Sequence, residues 1–437
     1  MYIRGFRMKI AYFKKVITPE TGAFIAGYDF TSRSIAVLDD LYLCGLALDD
    51  GNKKALILSF DLLALDGHYV RKVRKECAEI LGTSQEMILL SCTHNHSGPE
   101  AATPLAPNHD KLNRPYVEAL HNWILEEVRA LKDWKEVAVR FYSSFCDENR
   151  NRRYTTADNL ASFQPHRREL IELCNGFADK ELLQLCFFDS GSGRLLYVVG
   201  NYAAHPLAGH SPGLGGKRIS ADYPGAFRNY IKAESGAECM FLSGACGDMV
   251  PREDEMGYSA AKEMGIRLAK AALGGVMDSS RNKKRFTLEE PRLGGLIRTF
   301  TAPIRKKFCK RVPEEYQGKD AVTLELQFLS IGEMCLVGLP GEVCAELGQE
   351  IKWHSLFRKA MAVYYSTSDF SYMAPGNFLV SGGYEGSTQQ FGFSGSFALL
   401  KCAVEGMNLL HKTVFPELDR EEEAYPDYLD QSFVNIP

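Results

Sequence analysis

The chain contains no Cys-x-x-Cys pair, no long uncharged apolar run, no basic excess and no fixed-period repeat. Each absence excludes a class of protein. Without paired cysteine spacing, a thiolate zinc site of the finger or ribbon type is excluded. The twelve cysteines instead sit largely inside apolar runs, as Cys44, Cys186, Cys239 and Cys335 do. They read as reduced, buried thiols of an intracellular protein. Crossing a bilayer takes about 18 or more consecutive apolar residues, and no segment qualifies, so stable membrane insertion is not expected. The opening residues, MYIRGFRMKIAYFKK, carry basic side chains but no apolar core of signal-peptide length, and a cytoplasmic location is expected. Net charge is -4, with Lys and Arg dispersed apart from short clusters such as Arg305-Lys306-Lys307. That is not the basic face of a nucleic-acid binder. No repeat points to a solenoid or propeller.

What remains is an ordinary globular composition, 45% hydrophobic and 24% charged over 437 residues, enough for a large core. Residues 40–66 form two strand-like runs around Asp50-Gly51, a hairpin signal. A second hairpin is expected over 182–204, turning at Gly191-Ser192-Gly193. Residues 87–93, 238–242 and 322–339 read as strands, the last a pair broken at Gly332. Apolar residues recur at helical spacing over 69–81, 115–131, 258–273 and 391–412. Strands and helices mix without a strict βαβ rhythm. This predicts an α+β, or irregular α/β, fold with a mixed β-sheet core and surrounding helices. One domain over 1–437 is expected, with 280–320 as a candidate linker or excursion and 416–437 as a tail.

Four apolar runs lead into residues that bind metals. Ile88–Leu90 leads to His94, Leu195–Val199 to His205, Cys335–Leu339 to Glu342, and Met361–Tyr365 to Tyr372. Buried strands deliver such residues to one sheet edge, where active sites are commonly built. Two His and a Glu with an open position make a common catalytic zinc set. His94 and His96 form an H-x-H in which one imidazole can bind metal while the other meets substrate. The segments 98–115 and 211–217 are lid candidates. The latter has Ser where a phosphate loop needs its first Gly.

These motifs resemble the neutral (non-lysosomal) ceramidase family, over about residues 14–412. Ile17-Thr18-Pro19, Gly22 and Gly27-Tyr28 are similar to its opening. Thr93-His94-Asn95-His96-Ser97-Gly98-Pro99 resembles its T-H-x-H-S-G-P signature. Asn151-Arg152, Asn201 through His205-Pro206, and Ser220 through Gly225 follow in order. Gly247-Asp248, Pro251, Leu339-Pro340-Gly341-Glu342, Tyr372 and Gly383-Tyr384-Glu385 complete the set. The resemblance implies one Zn2+ per chain, held by His94, His205, Glu342 and Tyr372, with His96 and Arg152 facing substrate.

Two departures qualify it. Ceramide-cleaving members carry Ser in a G-D-x-S-P element, and here the position is Val250, which has no hydroxyl. Ser243 is a nearby hydroxyl. The secreted members' C-terminal sandwich domain is not seen either. The expected function is therefore zinc-dependent hydrolysis of an amide or ester bond in an N-acylated or other small soluble substrate, by a metal-activated water. His96 is the candidate acid/base, Arg152 an oxyanion or carboxylate binder, and Asp248 an orienter of a ligand histidine. Two alternatives stay open: a ceramidase that tolerates Val250, and a catalytically silent metal-containing binding protein. The sequence leaves oligomeric state open.

Overall fold

Strand residues of this chain are apolar on both faces, and that dictates the layering. In the strand Tyr42–Asp49, Cys44, Leu46 and Leu48 enter one core while Leu43 and Ala47 enter another. A sheet apolar on both sides must be covered on both. The computed structural model describes residues 8–27, 32–102, 113–155, 161–163, 176–209, 217–252, 257–278, 287–288, 291–309, 312, 316–420 and 422. Tyr28, most of both lid candidates and most of the tail lie outside the described residues.

The larger sheet has eight strands: β1 (Met8–Val16), β2 (Tyr42–Asp49), β3 (Lys54–Phe60), β4 (Ile88–Cys92), β5 (Lys135–Phe145), β6 (Glu181–Asp189), β7 (Leu195–Tyr202) and β8 (Glu238–Ser243). Their spatial order is β8-β7-β6-β5-β1-β2-β3-β4. Neighbours are antiparallel except at the two ends, where β7 with β8 and β3 with β4 run parallel. The smaller sheet orders β9 (Leu293–Pro303), β10 (Ala321–Ile331), β11 (Met334–Gly338) and β12 (Lys359–Val363), with β11 parallel to β12.

Ile57, Leu89, Val199 and Leu242 of the first sheet meet Leu329, Leu336 and Met361 of the second in one core. Helices cover the outer faces. Helix α1 (Gly67–Leu81) buries Val70, Val73 and Cys77, and α2 (Arg114–Arg129) buries Leu120, Ile124 and Val128. Helices α3 (Asp222–Ser235) and α4 (Tyr258–Asp278) pack on the outer face of β6 to β8. Helix α5 (Ala345–Trp353) follows the Glu342 segment, and α6 (Phe393–Val414) lies on β9 and β10.

Buried polar side chains bring the far edges of the large sheet together. Ser59 on β3 donates its hydroxyl to the Phe241 carbonyl on β8, 2.6 Å away. Ser243 at the end of β8 donates to the Thr93 carbonyl, 2.7 Å away. The second sheet joins the same seam, because Asn201 donates to the carbonyls of Leu242 and Ala362, both at 2.9 Å. Ser91 donates to the carbonyl of Tyr364, also at 2.9 Å. A buried carbonyl left unpaired costs about 1–3 kcal/mol, so these four side chains specify the rolled arrangement. The carboxyl ends of β4, β7, β11 and β12 converge as a result.

The expected α+β fold with a mixed sheet and surrounding helices is the observed one. One helix carries no sequence reading of its own, and one segment differs from its reading. Helix α3 begins Asp222-Tyr223-Pro224-Gly225, and Pro and Gly in its first turn concealed it; Pro is tolerated there because those N–H groups lack intrahelical partners. Within the expected excursion 280–320, β9 is an eleven-residue strand paired along its length with β10.

Candidate metal centre

His94 leaves β4 with φ of 63°, a left-handed conformation unfavourable for a side chain with a Cβ. Such strain persists only where surrounding contacts over-determine it. Here the imidazole stacks on Tyr365, with centroids 4.5 Å apart and planes 11° apart. Tyr365 itself has φ of 43°. His205 follows β7, and its loop is held from α3: the Tyr223 hydroxyl donates to the Ala204 carbonyl at 2.6 Å, and Asp222 accepts from the Gly209 N–H at 2.6 Å. Asn95 ties the His94 segment to the same helix start by donating to the Ser220 carbonyl at 2.7 Å.

Glu342 opens a two-residue strand parallel to Tyr372–Met373, and Glu342 lies opposite Tyr372 in register. This close approach needs glycine. Gly341 has φ of 60°, and a Cβ there would overlap the Phe370 carbonyl. A Cβ on Gly247 would lie 2.9 Å from the Glu342 carbonyl oxygen.

Each imidazole has its Nδ1 on a backbone carbonyl: His94 on Leu63 at 3.2 Å, His96 on Gly27 at 3.2 Å and His205 on Met249 at 2.9 Å. A carbonyl only accepts, so Nδ1 carries the proton and the neutral ring presents a lone pair at Nε2. Burial holds His94 well below the usual histidine pKa. Burial, reinforced by the Arg152 charge, brings His205 down to about 3. Both rings are neutral at pH 7, with bare Nε2 atoms.

Those atoms face a carboxylate. Glu342 Oε2 lies 3.3 Å from His205 Nε2 and 3.7 Å from His94 Nε2. His94 Nε2 is buried and has no hydrogen-bond donor or acceptor among the described residues. Ligating atoms of His94, His96 and His205 all fall within 4.8 Å of one another. Acceptors facing acceptors leave a position that a cation would fill. Tetrahedral zinc with bonds of about 2.0–2.1 Å separates its ligand atoms by roughly 3.4 Å, so the donor set and its spacing fit a zinc ion. Tyr372 is buried opposite Glu342, and its hydroxyl accepts from Arg152 Nη2 at 3.1 Å.

Arg152 is buried rather than solvated on a basic loop. Its Nε donates to Glu385 Oε1 at 2.8 Å, and Nη2 donates to the Gly247 carbonyl at 2.8 Å and the Tyr372 hydroxyl at 3.1 Å. Asp248 is fully buried and makes no described hydrogen bond to a histidine. Its carboxylate accepts from Asn151 Nδ2 at 2.6 Å and from the Ala345 N–H at the start of α5, at 2.8 Å. The group that orients His205 is the Met249 carbonyl, a backbone atom with no residue-type signal. Ser243 is spent on Thr93. Val250, 7% exposed, sits in a short strand with Arg150 as its partner. Glu385, fully buried between two arginines, entered the sequence reading only as the last residue of the Gly383-Tyr384-Glu385 motif.

No family model matches the chain, and no curated protein matches it. Among solved structures it is similar to the neutral ceramidase from Pseudomonas aeruginosa, with TM-score 0.74 and 15% identity, covering 94% of this chain and 75% of that one. It is likewise similar to a ceramidase complexed with C2, with TM-score 0.74 and 16% identity, covering 94% of this chain and 76% of that one. The chain has the neutral ceramidase fold.

Proposed function

We propose that this chain, built on the neutral ceramidase fold, is a zinc-dependent hydrolase of an amide (C–N) or ester bond in an N-acylated or other small soluble substrate. The observation that carries the reading is the facing of two proton-free Nε2 atoms and a carboxylate oxygen at 3.3 and 3.7 Å. His94, His205, Glu342 and Tyr372 would hold one Zn2+. When bound, the ion supplies Lewis acidity and a nucleophile usable near neutral pH.

The chain's own groups do the rest. Hydrogen bonds from Nδ1 to Leu63 and Met249 fix the ligand tautomers and ring planes. His96 is half-buried, the most open of the three imidazoles, and one of its ring nitrogens lies within 4.8 Å of those of His94 and His205. It takes up and returns the proton that passes to the leaving group. Arg152 orients Tyr372 and places positive charge beside a substrate oxyanion. Asp248 acts as a positioning residue, tying Asn151 to the start of α5. Free thiols at every described cysteine suit a reducing compartment, and we place the protein in the cytoplasm. No helix among the described residues is long and apolar enough to cross a membrane.

Elemental analysis of the purified protein tests the centre, with about one zinc per chain expected and little in His94→Ala. A zinc-free, folded wild type would overturn it. Turnover of a panel of N-acyl compounds tests the hydrolase. Two further readings stand beside it. The shared fold favours a ceramidase despite Val250, tested by ceramide hydrolysis in detergent. A metal-loaded protein inert towards every substrate in the panel and towards ceramide would favour a silent binding protein.

A further inference from the structure

We infer that Glu385, locked by Arg153, is a positioning residue of the metal centre that acts through Arg152 on Tyr372. The inference rests on the zinc reading above. Glu385 is fully buried, and an isolated carboxylate there would be costly. It is divided between two cations. Oε1 accepts from Arg152 Nε at 2.8 Å, and Oε2 accepts from Arg153 Nη1 at 2.7 Å.

Arg153 is fixed in turn. It donates to the Gly382 carbonyl at 3.1 and 3.2 Å and to the Ser381 hydroxyl at 3.1 Å. Its guanidinium lies over the Phe378 ring, 3.6 Å from the centroid. Arg153 therefore holds the carboxylate, and the carboxylate holds the planar guanidinium of Arg152. With that plane set, Nη2 reaches both the Gly247 carbonyl and the Tyr372 oxygen. The phenol oxygen then accepts from Arg152, and Tyr372 lies opposite Glu342 in register. A clip serving only stability would need one arginine and no connection to the ligand set. This chain of contacts instead runs unbroken from the helix Gly383–Thr388 to Tyr372, a proposed zinc ligand that lies opposite Glu342 in register.

Zinc affinity, measured by competition with a chromophoric chelator, tests this without any substrate. Groups outside the ligand set typically alter metal affinity by about 10–100-fold. Glu385→Gln is expected to weaken zinc by at least about tenfold, and Glu385→Asp, which keeps the charge, by less. The decisive comparison is a double-mutant cycle with Tyr372→Phe. If Glu385 acts through the phenol, Glu385→Gln in the Tyr372→Phe background costs little further affinity. Effects that multiply, or a Glu385→Gln affinity within about twofold of wild type, overturn the inference. Should Glu385→Gln fail to fold, Arg153→Lys loosens only the outer arm and carries the same cycle. A wild type that binds no zinc overturns the metal reading itself. A zinc-binding wild type with unaffected variants overturns only the role of Glu385.

Discussion

Two buried polar clusters of this chain differ in charge balance. Asp61, one residue past β3, accepts from both Nη atoms of Arg228 on α3, at 2.8 and 2.5 Å, and from the Tyr42 N–H at 2.8 Å. Cation meets anion, and donor meets acceptor. At the metal centre, His94, His205 and Glu342 point lone pairs at one another. Both clusters are buried and both join distant segments. Only the second lacks something that a cation would supply. Charge and proton balance, more than burial or proximity, separates a group that holds the fold from a group that awaits a ligand.

The sharpest way to break this comparison is to remove one partner from each cluster. Asp61→Asn strands the Arg228 charge in the core, which costs about 3–5 kcal/mol. That is a large share of a stability of roughly 5–15 kcal/mol. The denaturant midpoint should fall steeply, with or without zinc. His94→Ala should behave differently. The metal-free variant should unfold near the metal-free wild type, because no charge loses its partner. It should also lose the zinc-dependent gain, about 4 kcal/mol when free zinc is a thousand times Kd. Equal losses in both variants without zinc would erase the distinction.

A milder balanced cluster tests it through pH. Burial works to raise the Glu181 carboxyl, but Lys352, Lys359 and Ser143 overcome this and hold it at about 2, below the usual 4.5. A depressed acid stabilises fully above its unfolded pKa and loses that contribution as pH falls through its folded value. Glu181→Gln should therefore cost about 1–2 kcal/mol at pH 7, discounted for its partial exposure. The loss should begin to shrink below about pH 4.5 and vanish near pH 2. Denaturant titrations across this range check the slope. A pH-independent loss would mean that Glu181 acts by packing.

What the sequence made legible follows from where each signal resides. The hairpin at Asp50-Gly51 was readable because the turn is local: Asp50 accepts from the N–H groups of Asn52 and Lys53, and Gly51 has φ of 88°. Helices α1, α2, α4 and α6 were readable from apolar spacing. The four strand ends bearing His94, His205, Glu342 and Tyr372 were readable because β4, β7, β11 and β12 are continuous apolar runs, as parallel or fully buried strands are. The Leu63 and Met249 carbonyls that set the tautomers were not, since every residue has a carbonyl. Nor was the left-handed turn at His94, because histidine tolerates positive φ more often than most residues but does not demand it. Glu385 was visible as a residue but not as a partner, because its contacts lie 232 and 233 positions away.

The smallest structural change probes the acceptor-only centre from its other side. Val250 stands next to Met249, whose carbonyl orients His205, and it contributes neither donor nor acceptor. Ser243 cannot replace the missing hydroxyl while it donates to Thr93. Val250→Ser adds a donor at this position. The cost is one nearly buried hydroxyl and two lost methyl groups, about 1–3 kcal/mol. Zinc content should stay unchanged, because no proposed ligand is touched. Ceramide hydrolysis in detergent should rise above that of the parent, while turnover of soluble N-acyl compounds changes less. A gain confined to ceramide would mean that the pocket still accepts the lipid and that only the hydroxyl was missing. If ceramide remains untouched at full zinc occupancy, the pocket excludes it by shape, and the soluble-substrate reading stands on firmer ground.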